Sequence, residues 1–355
     1  MKMRVVSVAF PFARVSADPV GGAEQVLAHL DRHLVEQGHE SVVIAPSGSS
    51  VRGRLVPLPA PAREWDEASC ARQRAYTRSA IAQTLAQARF DLVHCHGLDF
   101  DAYLPPPGVP LLVTLHLSLD WYADGALRTA RPRTYLLPVS HAQCRDDAPS
   151  DLGLLPPIGN GVPDNPIAGR ARKRDVALAL GRICPEKGFE DAVRAAQKAG
   201  FELCIAGELF PWPAHVRYFD EVLAPLLDDR RRLIGAIRGI RKQWWLARAR
   251  CVLITSRARE TSSLVAMEAL AAGTPVIAYR SGAIPDLIEH GVTGFLVDNV
   301  DGMAEAIGRV DAIDPAACLG TARERFRLAD MLGAYLALYA KLIVESRTEV
   351  ARAYA

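Results

Sequence analysis

The stretch RCVLITSRARETSSLVAMEALAAGTPVIAY (residues 250–279) contains two apolar runs separated by a polar loop and a small-residue segment. The runs RCVLITS (250–256) and TPVIAY (274–279) are nearly continuous in apolar residues and do not alternate with polar ones. This pattern is typical of parallel strands that helices cover on both faces. Helix-forming residues begin near Leu264. The stretch therefore predicts a strand–helix–strand unit of an α/β fold.

Similar apolar runs recur along the chain and alternate with helical patterns. The predicted strands of the first half are MRVVSVAF (3–10), SVVIAP (41–46), DLVHCH (91–96), PLLVTLH (110–116) and YLLPVS (135–140). Those of the second half are VALALGRI (176–183), FELCIAG (201–207), RRLIGAI (231–237), RCVLITS (250–256), TPVIAY (274–279) and GFLV (294–297). We therefore predict two Rossmann-like domains in tandem, each with a doubly wound parallel sheet, facing a cleft.

A charged stretch with proline and glycine, PDNPIAGRARKRD (163–175), suits a linker between these domains. We expect the first domain at residues 1–165 and the second at residues 166–330. Residues 331–355 carry an apolar stripe at helical spacing. This last helix is long enough to leave the second domain and pack back on the first.

The composition excludes some classes of function. Among 355 residues, Lys and Arg number 42 and Asp and Glu number 40, so nucleic acid is not an expected partner. No apolar run approaches the roughly 18 residues of a membrane span, and we expect no stable membrane anchor. The beginning of the chain is better explained as a buried strand than as a signal peptide. The seven cysteines never form a CxxC pair, which is typical of a reducing cytoplasm.

Two glutamates, Glu260 and Glu268, stand on either side of the predicted helix start, with Ser262 or Ser263 as a natural N-cap. The N–H groups and the positive dipole end of a helix N-terminus bind anions such as a diphosphate. Glu268 can accept two hydrogen bonds from a vicinal diol such as ribose, and Glu260 can reach hydroxyls on the group that the diphosphate carries. The alternative is that the serine only caps the helix and Glu260 is a solvated loop residue.

The motif GRICPEKG (181–188) places Arg182 and Lys187 in a turn at the end of the second domain's first predicted strand. Arginine offers a planar fork of donors to phosphate oxygens, and lysine offers a movable point charge. These cations can stabilise a diphosphate in place of a divalent metal. The alternative is a solvated turn without function.

Taken together, the motifs resemble the retaining family-4 glycosyltransferases of the GT-B fold. The resemblance is carried by the two glutamates eight residues apart with ALAAGTPVIA, and by GVTGFLV, GRICPEKGFEDAVRAA (181–196), IGNGVP (158–163), DLVHCHG (91–97) and GGAEQVLAHLDRHLVEQGHE (21–40). One departure is ETSS (260–263), where the family usually continues from its first glutamate with Pro or Ser and then Phe-Gly. In this departure Ser262 and Ser263 still supply small side chains and backbone N–H groups for a phosphate.

The resemblance implies a nucleotide sugar held mainly by the second domain, with Glu268 on the ribose and Glu260 on the sugar. It also implies that no metal or cofactor is needed, since the family works without a metal and the nucleoside diphosphate sugar is a co-substrate. The predicted catalytic residues are Arg182, Lys187, His116 and Glu260. The predicted nucleotide-sugar-binding residues are Gly21, Gly22, Thr261, Ser262, Ser263, Leu264 and Glu268.

In the first domain, His116 ends a predicted strand and resembles the family's strand-end histidine, which contacts the donor sugar. Its alternative is a satisfied histidine at a domain edge. Gly21 and Gly22 open the first helix, where glycines permit close approach of phosphate or acceptor oxygens, although a plain turn would need them equally. His94 and His96 share a strand face and could ligate a metal, but no third ligand is placed by the sequence.

We therefore expect a retaining glycosyltransferase that moves a hexose, with UDP-glucose the preferred donor, to a hydroxyl of a small molecule or glycan. Trp121 and Tyr122 are candidates for stacking on the acceptor, or they pack under a loop. The basic segment 230–250 leaves transient contact with a membrane or an anionic acceptor open. Two alternatives are a sugar-nucleotide epimerase on the same fold and a non-catalytic protein that binds nucleotide sugars.

Overall fold

The computed structural model describes residues 1–16, 19, 21–62, 65–146, 149 and 151–353. The first of its two units contains Met1–Gly159 and the residues from Ala329 onward, and the second contains Asn160–Leu328. The division lies before the expected position at residue 165. The reason is that the Val162 backbone is hydrogen-bonded within the second unit. Its N–H donates to the Phe326 carbonyl over 2.9 Å, and its carbonyl accepts from the Leu328 N–H over 3.2 Å.

Within its described residues, the first unit is built on a sheet of six parallel strands. The strands are β1 (Arg4–Val8), β2 (Glu40–Pro46), β3 (Arg54–Leu58), β4 (Leu92–Cys95), β5 (Leu111–Leu115) and β6 (Thr134–Pro138). The helices are α1 (Gly22–Glu36), α2 (Glu67–Gln87) and α3 (His141–Asp146). The strand order β3–β2–β1–β4–β5–β6 reverses its direction between β1 and β4, which is the doubly wound arrangement.

Sequence patterning does not predict β3, which reads RLVPL and is mostly not buried. The strand order places it at the edge of the sheet, paired with β2. Pro57 lies within it, and proline is tolerated in an edge strand because it has no N–H to offer a second neighbour. The other strands of this sheet are predicted because helices cover both of their faces and leave a continuous apolar run.

The second unit repeats this topology. Its strands are β7 (Val176–Leu180), β8 (Glu202–Ala206), β9 (Arg231–Leu233), β10 (Cys251–Ile254), β11 (Val276–Tyr279) and β12 (Gly294–Val297). Its helices are α4 (Phe189–Lys198), α5 (Pro213–Arg217), α6 (Gly239–Arg248), α7 (Leu264–Ala271), α8 (Ile284–Leu287), α9 (Val300–Arg309) and α10 (Pro315–Arg325). The order β9–β8–β7–β10–β11–β12 reverses between β7 and β10. The predicted fold class, two doubly wound parallel sheets in tandem, is confirmed.

The last helix, α11 (Leu328–Ala353), packs on the first unit. Tyr335 and Tyr339 lie on its buried face and are fully enclosed. Near its end, Arg347 donates to the carboxylate of Asp91 over 2.7 Å. Residues 354 and 355, which belong to the expected C-terminal segment, lie outside the described residues.

Two further features bear on the sequence-based expectations. All seven cysteines carry free thiols. Among the described residues, no helix combines the length and the apolar character that crossing a membrane requires.

Candidate functional site

The loop between β10 and α7 carries the two predicted serines. Ser263 is the N-cap of α7, and its hydroxyl accepts a hydrogen bond from the Ala266 backbone N–H over 3.4 Å. The neighbouring Ser262 hydroxyl oxygen is buried and has no hydrogen-bond partner in the described part of the chain. Thr261 is also buried. The helix therefore begins at a capped N-terminus directly after the strand end, which is the local geometry that binds anions.

Lys187 and Glu260 form an ion pair in front of this helix. The Ser256 hydroxyl donates to the same carboxylate oxygen, Glu260 Oε1, and lies 3.4 Å from the Lys187 ammonium. Burial opposes ionisation of Glu260, but the charge and hydrogen bond of Lys187, the Ser256 hydroxyl and the charge of Arg182 outweigh it and hold its pKa below the ordinary value. Glu260 is therefore a carboxylate at neutral pH.

Hydrogen bonds to two backbone carbonyls hold the Lys187 loop against the loop that follows β10. The Thr255 hydroxyl donates to the Lys187 carbonyl over 2.8 Å, and the Arg257 N–H donates to the Glu186 carbonyl over 2.8 Å. Gly188 has a φ of +59°, and a Cβ there would lie 2.7 Å from the Thr255 carbonyl oxygen. The two loops meet because β7 and β10 are neighbours at the reversal of the strand order, where doubly wound folds bind ligands.

Arg182 lies in the same loop and is half-buried. Within the described ranges it has no ion-pair partner, whereas the charge of Lys187 is matched by Glu260. Arg182 is close enough for its charge to lower the pKa of Glu260. Among the described residues, Arg182 is thus a cation of this loop that forms no ion pair with an acid.

Glu268 lies one turn into α7 and is 9% exposed. Its Oε1 accepts a hydrogen bond from the Lys242 ammonium, which reaches it from α6 over 2.8 Å. Sequence reasoning missed Lys242, because the basic segment 230–250 that contains it indicates only transient contact with a membrane or an anionic acceptor. A lysine 26 residues away carries no periodic signal that links it to Glu268.

One other group among the described residues has the chemistry of metal ligands. The ligating atoms of Cys184, Glu186 and His215 lie within 4.8 Å of one another. Burial raises the pKa of the Cys184 thiol to about 11, and the hydrogen bond to Glu186 adds to this effect. The thiol is therefore protonated at neutral pH, and the cations of Arg182 and Lys187 stand close by, which disfavours a further positive ion.

In the first unit, His116 follows β5, and its Nε2 lies 3.0 Å from the Nδ1 of His96. Burial lowers the pKa of His116 to about 4, so its imidazole is neutral at pH 7. The ring nitrogens of His94 are 2.7 Å from the hydroxyls of Tyr339 and Thr114. Both nitrogens of His94 are thus occupied by hydrogen bonds, which disfavours the metal alternative for His94 and His96.

The other predicted residues of the first unit have contrasting environments. Gly21 is the N-cap of α1, which begins at Gly22, and a Cβ on Gly21 would lie 1.8 Å from the Glu24 carboxylate. Trp121 is 37% exposed, but Tyr122 is 7% exposed and its ring lies 6.2 Å from that of Phe100 in the core. Of the two aromatic candidates, Trp121 alone is open to stacking, and Tyr122 packs under its loop.

Two family models match separate parts of the chain. The family described as Glycosyltransferase Family 4 matches residues 20–145, and the family described as Glycosyl transferases group 1 matches residues 174–311. The first match falls in the first unit and the second in the second unit.

Individual proteins also match. The chain is 27% identical to the MMP alpha-(1->4)-mannosyltransferase of Mycolicibacterium hassiacum, over 87% of this chain and 89% of that protein. It is 34% identical to the exopolysaccharide phosphotransferase SCO2592 of Streptomyces coelicolor, over 58% of this chain but only 20% of that protein. The crystal structure of Anabaena HepE in complex with UDP-glucose covers 96% of this chain with a TM-score of 0.72 and 19% identity, a likeness of fold.

Proposed function

We propose, on the premise that this chain belongs to the family-4-like glycosyltransferases of the GT-B fold, that it transfers a hexose from a nucleoside diphosphate sugar to a hydroxyl acceptor. The observation that carries the proposal is the cluster of Arg182, Lys187 and Glu260 in front of the capped N-terminus of α7. A diphosphate needs fixed positive charge and free N–H groups, and this strand end offers both.

We assign a role to each charged residue of the second unit. Arg182, which no acid of the described residues neutralises, binds the diphosphate, and Lys187 assists it from its ion pair with Glu260. Glu260 accepts hydrogen bonds from sugar hydroxyls with the oxygen that Lys187 and Ser256 leave open. Glu268 accepts hydrogen bonds from the ribose diol while the Lys242 ammonium donates to its Oε1.

The proposed reaction retains the anomeric configuration. The bond between the anomeric carbon and the diphosphate oxygen breaks, and a bond from that carbon to the acceptor oxygen forms on the same face. The acceptor proton passes to the leaving diphosphate, whose growing charge Arg182 and Lys187 stabilise. His116 orients the sugar as a neutral hydrogen-bonding ring. The support for this course is the resemblance to retaining family-4 enzymes.

For the donor we propose UDP-glucose, supported by the fold shared with the HepE complex with that compound. The mannosyltransferase relative favours a second candidate, a donor that carries mannose.

The acceptor is a small molecule or a glycan, and no metal or cofactor takes part. We place the enzyme in the cytoplasm, and the seven free thiols support this location.

The experiment is a calorimetric titration of the full chain with UDP, GDP and ADP, followed by mass spectrometry of products from donor and acceptor panels. Arg182→Ala should weaken binding of the preferred nucleotide by about 10- to 100-fold, the range expected when a charge-assisted hydrogen bond is lost. Arg172→Ala, an exposed arginine of the same unit, is the matched control. Unchanged binding in Arg182→Ala would contradict the site.

Incubation of the donor without an acceptor separates transfer from epimerisation. An epimerised nucleotide sugar detected by NMR would support the epimerase instead. Nucleotide binding without any turnover across the panels would support a binding protein.

A further inference from the structure

A stack of three histidine rings lies at the ends of β4 and β5. The ring centroids of His94 and His96 are 3.9 Å apart, and those of His96 and His116 are 5.2 Å apart with nearly parallel planes. His96 is 3% exposed, and its Nε2 has no hydrogen-bond partner among the described residues. His116 is therefore in contact with a buried ring that bonds to it through Nδ1.

The buried Nε2 of His96 decides where the protons of this pair reside. A buried N–H without an acceptor is rarer in proteins than a buried acceptor without a donor. His96 therefore keeps its proton on Nδ1 and donates it to Nε2 of His116. Because that Nε2 accepts, neutral His116 carries its own proton on Nδ1.

We propose that His96 is a positioning residue that sets the tautomer and ring plane of His116, and that α11 holds this stack in place through His94. The Tyr339 hydroxyl lies 2.7 Å from the Nδ1 of His94. On the other side of that ring, the Thr114 hydroxyl lies 2.7 Å from Nε2. Tyr335 extends the chain of hydrogen bonds, since its hydroxyl is 3.2 Å from that of Thr114.

The link explains why a helix at the far end of the sequence would matter for a strand-end histidine. Tyr339 and His94 are 245 residues apart, yet both are fully buried in the first unit. The fixed His94 ring packs against His96 with their planes tilted by 42°. The consequence for catalysis rests on the proposed function, in which His116 orients the sugar. The inferred tautomer of His116 does not depend on that function.

The tautomer can be read in the ligand-free full-length chain by long-range proton–nitrogen NMR with 15N-labelled histidine. The nine histidines give a small set of signals, and His116→Gln assigns the one of interest. We expect the proton of His116 on Nδ1. In His96→Leu we expect the His116 signals to shift towards a mixture of tautomers. A wild-type His116 protonated on Nε2 would overturn the proposal.

Transfer kinetics provide the second readout. His96→Leu should lower kcat by about 10- to 100-fold, the loss expected from a misplaced group, with the donor KM changed by less than about twofold. His96→Asn, whose amide can donate near the position of Nδ1, should recover part of that loss. Equal losses in both variants, with folding intact by circular dichroism, would overturn the positioning role.

Tyr339→Phe removes only the hydroxyl that bonds His94 and should lower kcat by a smaller factor, about three- to tenfold. Tyr76→Phe is the matched control, because Tyr76 is 49% exposed on α2 of the same unit. Equal effects of the two substitutions would overturn the link to α11. Failure of the proposed function would appear differently. Nucleotide binding would be absent, or His116→Gln would leave kcat unchanged, while NMR of the wild type still showed the His116 proton on Nδ1.

Discussion

The ammonium of Lys187 forms an ion pair with the carboxylate of Glu260, although 73 residues separate the two in sequence. Their side chains are 29% and 12% exposed, so water screens the pair only in part. The charge and hydrogen bond of Lys187 favour the ionised form of Glu260.

Lys187→Ala should destabilise the chain by about 1–3 kcal/mol, because it leaves the Glu260 carboxylate partly buried without its cation. In the double variant Lys187→Ala/Glu260→Gln, part of that loss should be recovered, since no unpaired charge remains. Urea unfolding of the four proteins in a double-mutant cycle measures the coupling. Additive losses would show that the pair does not contribute to stability.

The stability that Glu260 confers should depend on pH. Its folded pKa lies below the ordinary value of 4.5, so ionised Glu260 stabilises the fold fully above that value. The advantage of wild type over Glu260→Gln should therefore shrink as the pH falls through the lowered folded pKa. Urea unfolding of both proteins at pH 7 and at several values below pH 5 tests this. An advantage that grows in acid would contradict the assigned shift.

Gly188→Ala should disturb the Lys187 loop more than its left-handed backbone conformation alone predicts. Gly188 and Gly200 share a positive φ, +59° and +62°, but only at Gly188 would a Cβ meet a backbone oxygen, whereas Gly200 has nothing within 4 Å. Gly200→Ala should cost about 1–2 kcal/mol from the left-handed conformation.

Gly188→Ala should exceed the Gly200→Ala loss by about 1 kcal/mol or more, because the Thr255 carbonyl must move. It should also weaken nucleotide binding, while Gly200→Ala leaves binding unchanged. Urea unfolding and calorimetry measure the two effects. Equal results for both glycines would argue that the contact with Thr255 does not shape the loop.

Glu268→Ala should remove discrimination at the ribose. With wild type, 2′-deoxy-UDP should bind about tenfold more weakly than UDP, as expected for one lost hydrogen bond to a carboxylate. In the variant both nucleotides should bind with similar, reduced affinity. Calorimetry with the two ligands gives the comparison. A variant that kept the full difference between the two nucleotides would show that another residue binds the ribose. The same titration with Lys242→Ala tests the ion-pair partner of Glu268.

Removal of divalent metal should leave transfer unchanged, because in the proposed function Arg182 and Lys187 supply the positive charge that the leaving diphosphate needs. Product formation is measured with and without excess EDTA, after extensive dialysis. Restoration of activity by added Mg²⁺ after a loss in EDTA would contradict this arrangement.

Local sequence patterns predicted much of the fold. Continuous apolar runs mark buried parallel strands, and the serine before Leu264 marks the start of α7, because both effects act over a few neighbouring residues. The same patterns place Glu260 and Glu268 beside a helix start. Sequence patterning does not predict the edge strand β3. Its residues are mostly not buried, so they need not be continuously apolar.

The sequence by itself determined the strand–helix alternation, the capped helix and the kinds of charged group at the strand ends. Only the tertiary structure decided that Lys187 pairs with Glu260, Lys242 with Glu268 and His96 with His116. These partners are brought together by the order of strands in the sheets and by the packing of helices on them. Such pairs cannot be predicted from periodicity, because the number of residues between the two partners is set by the connections between strands.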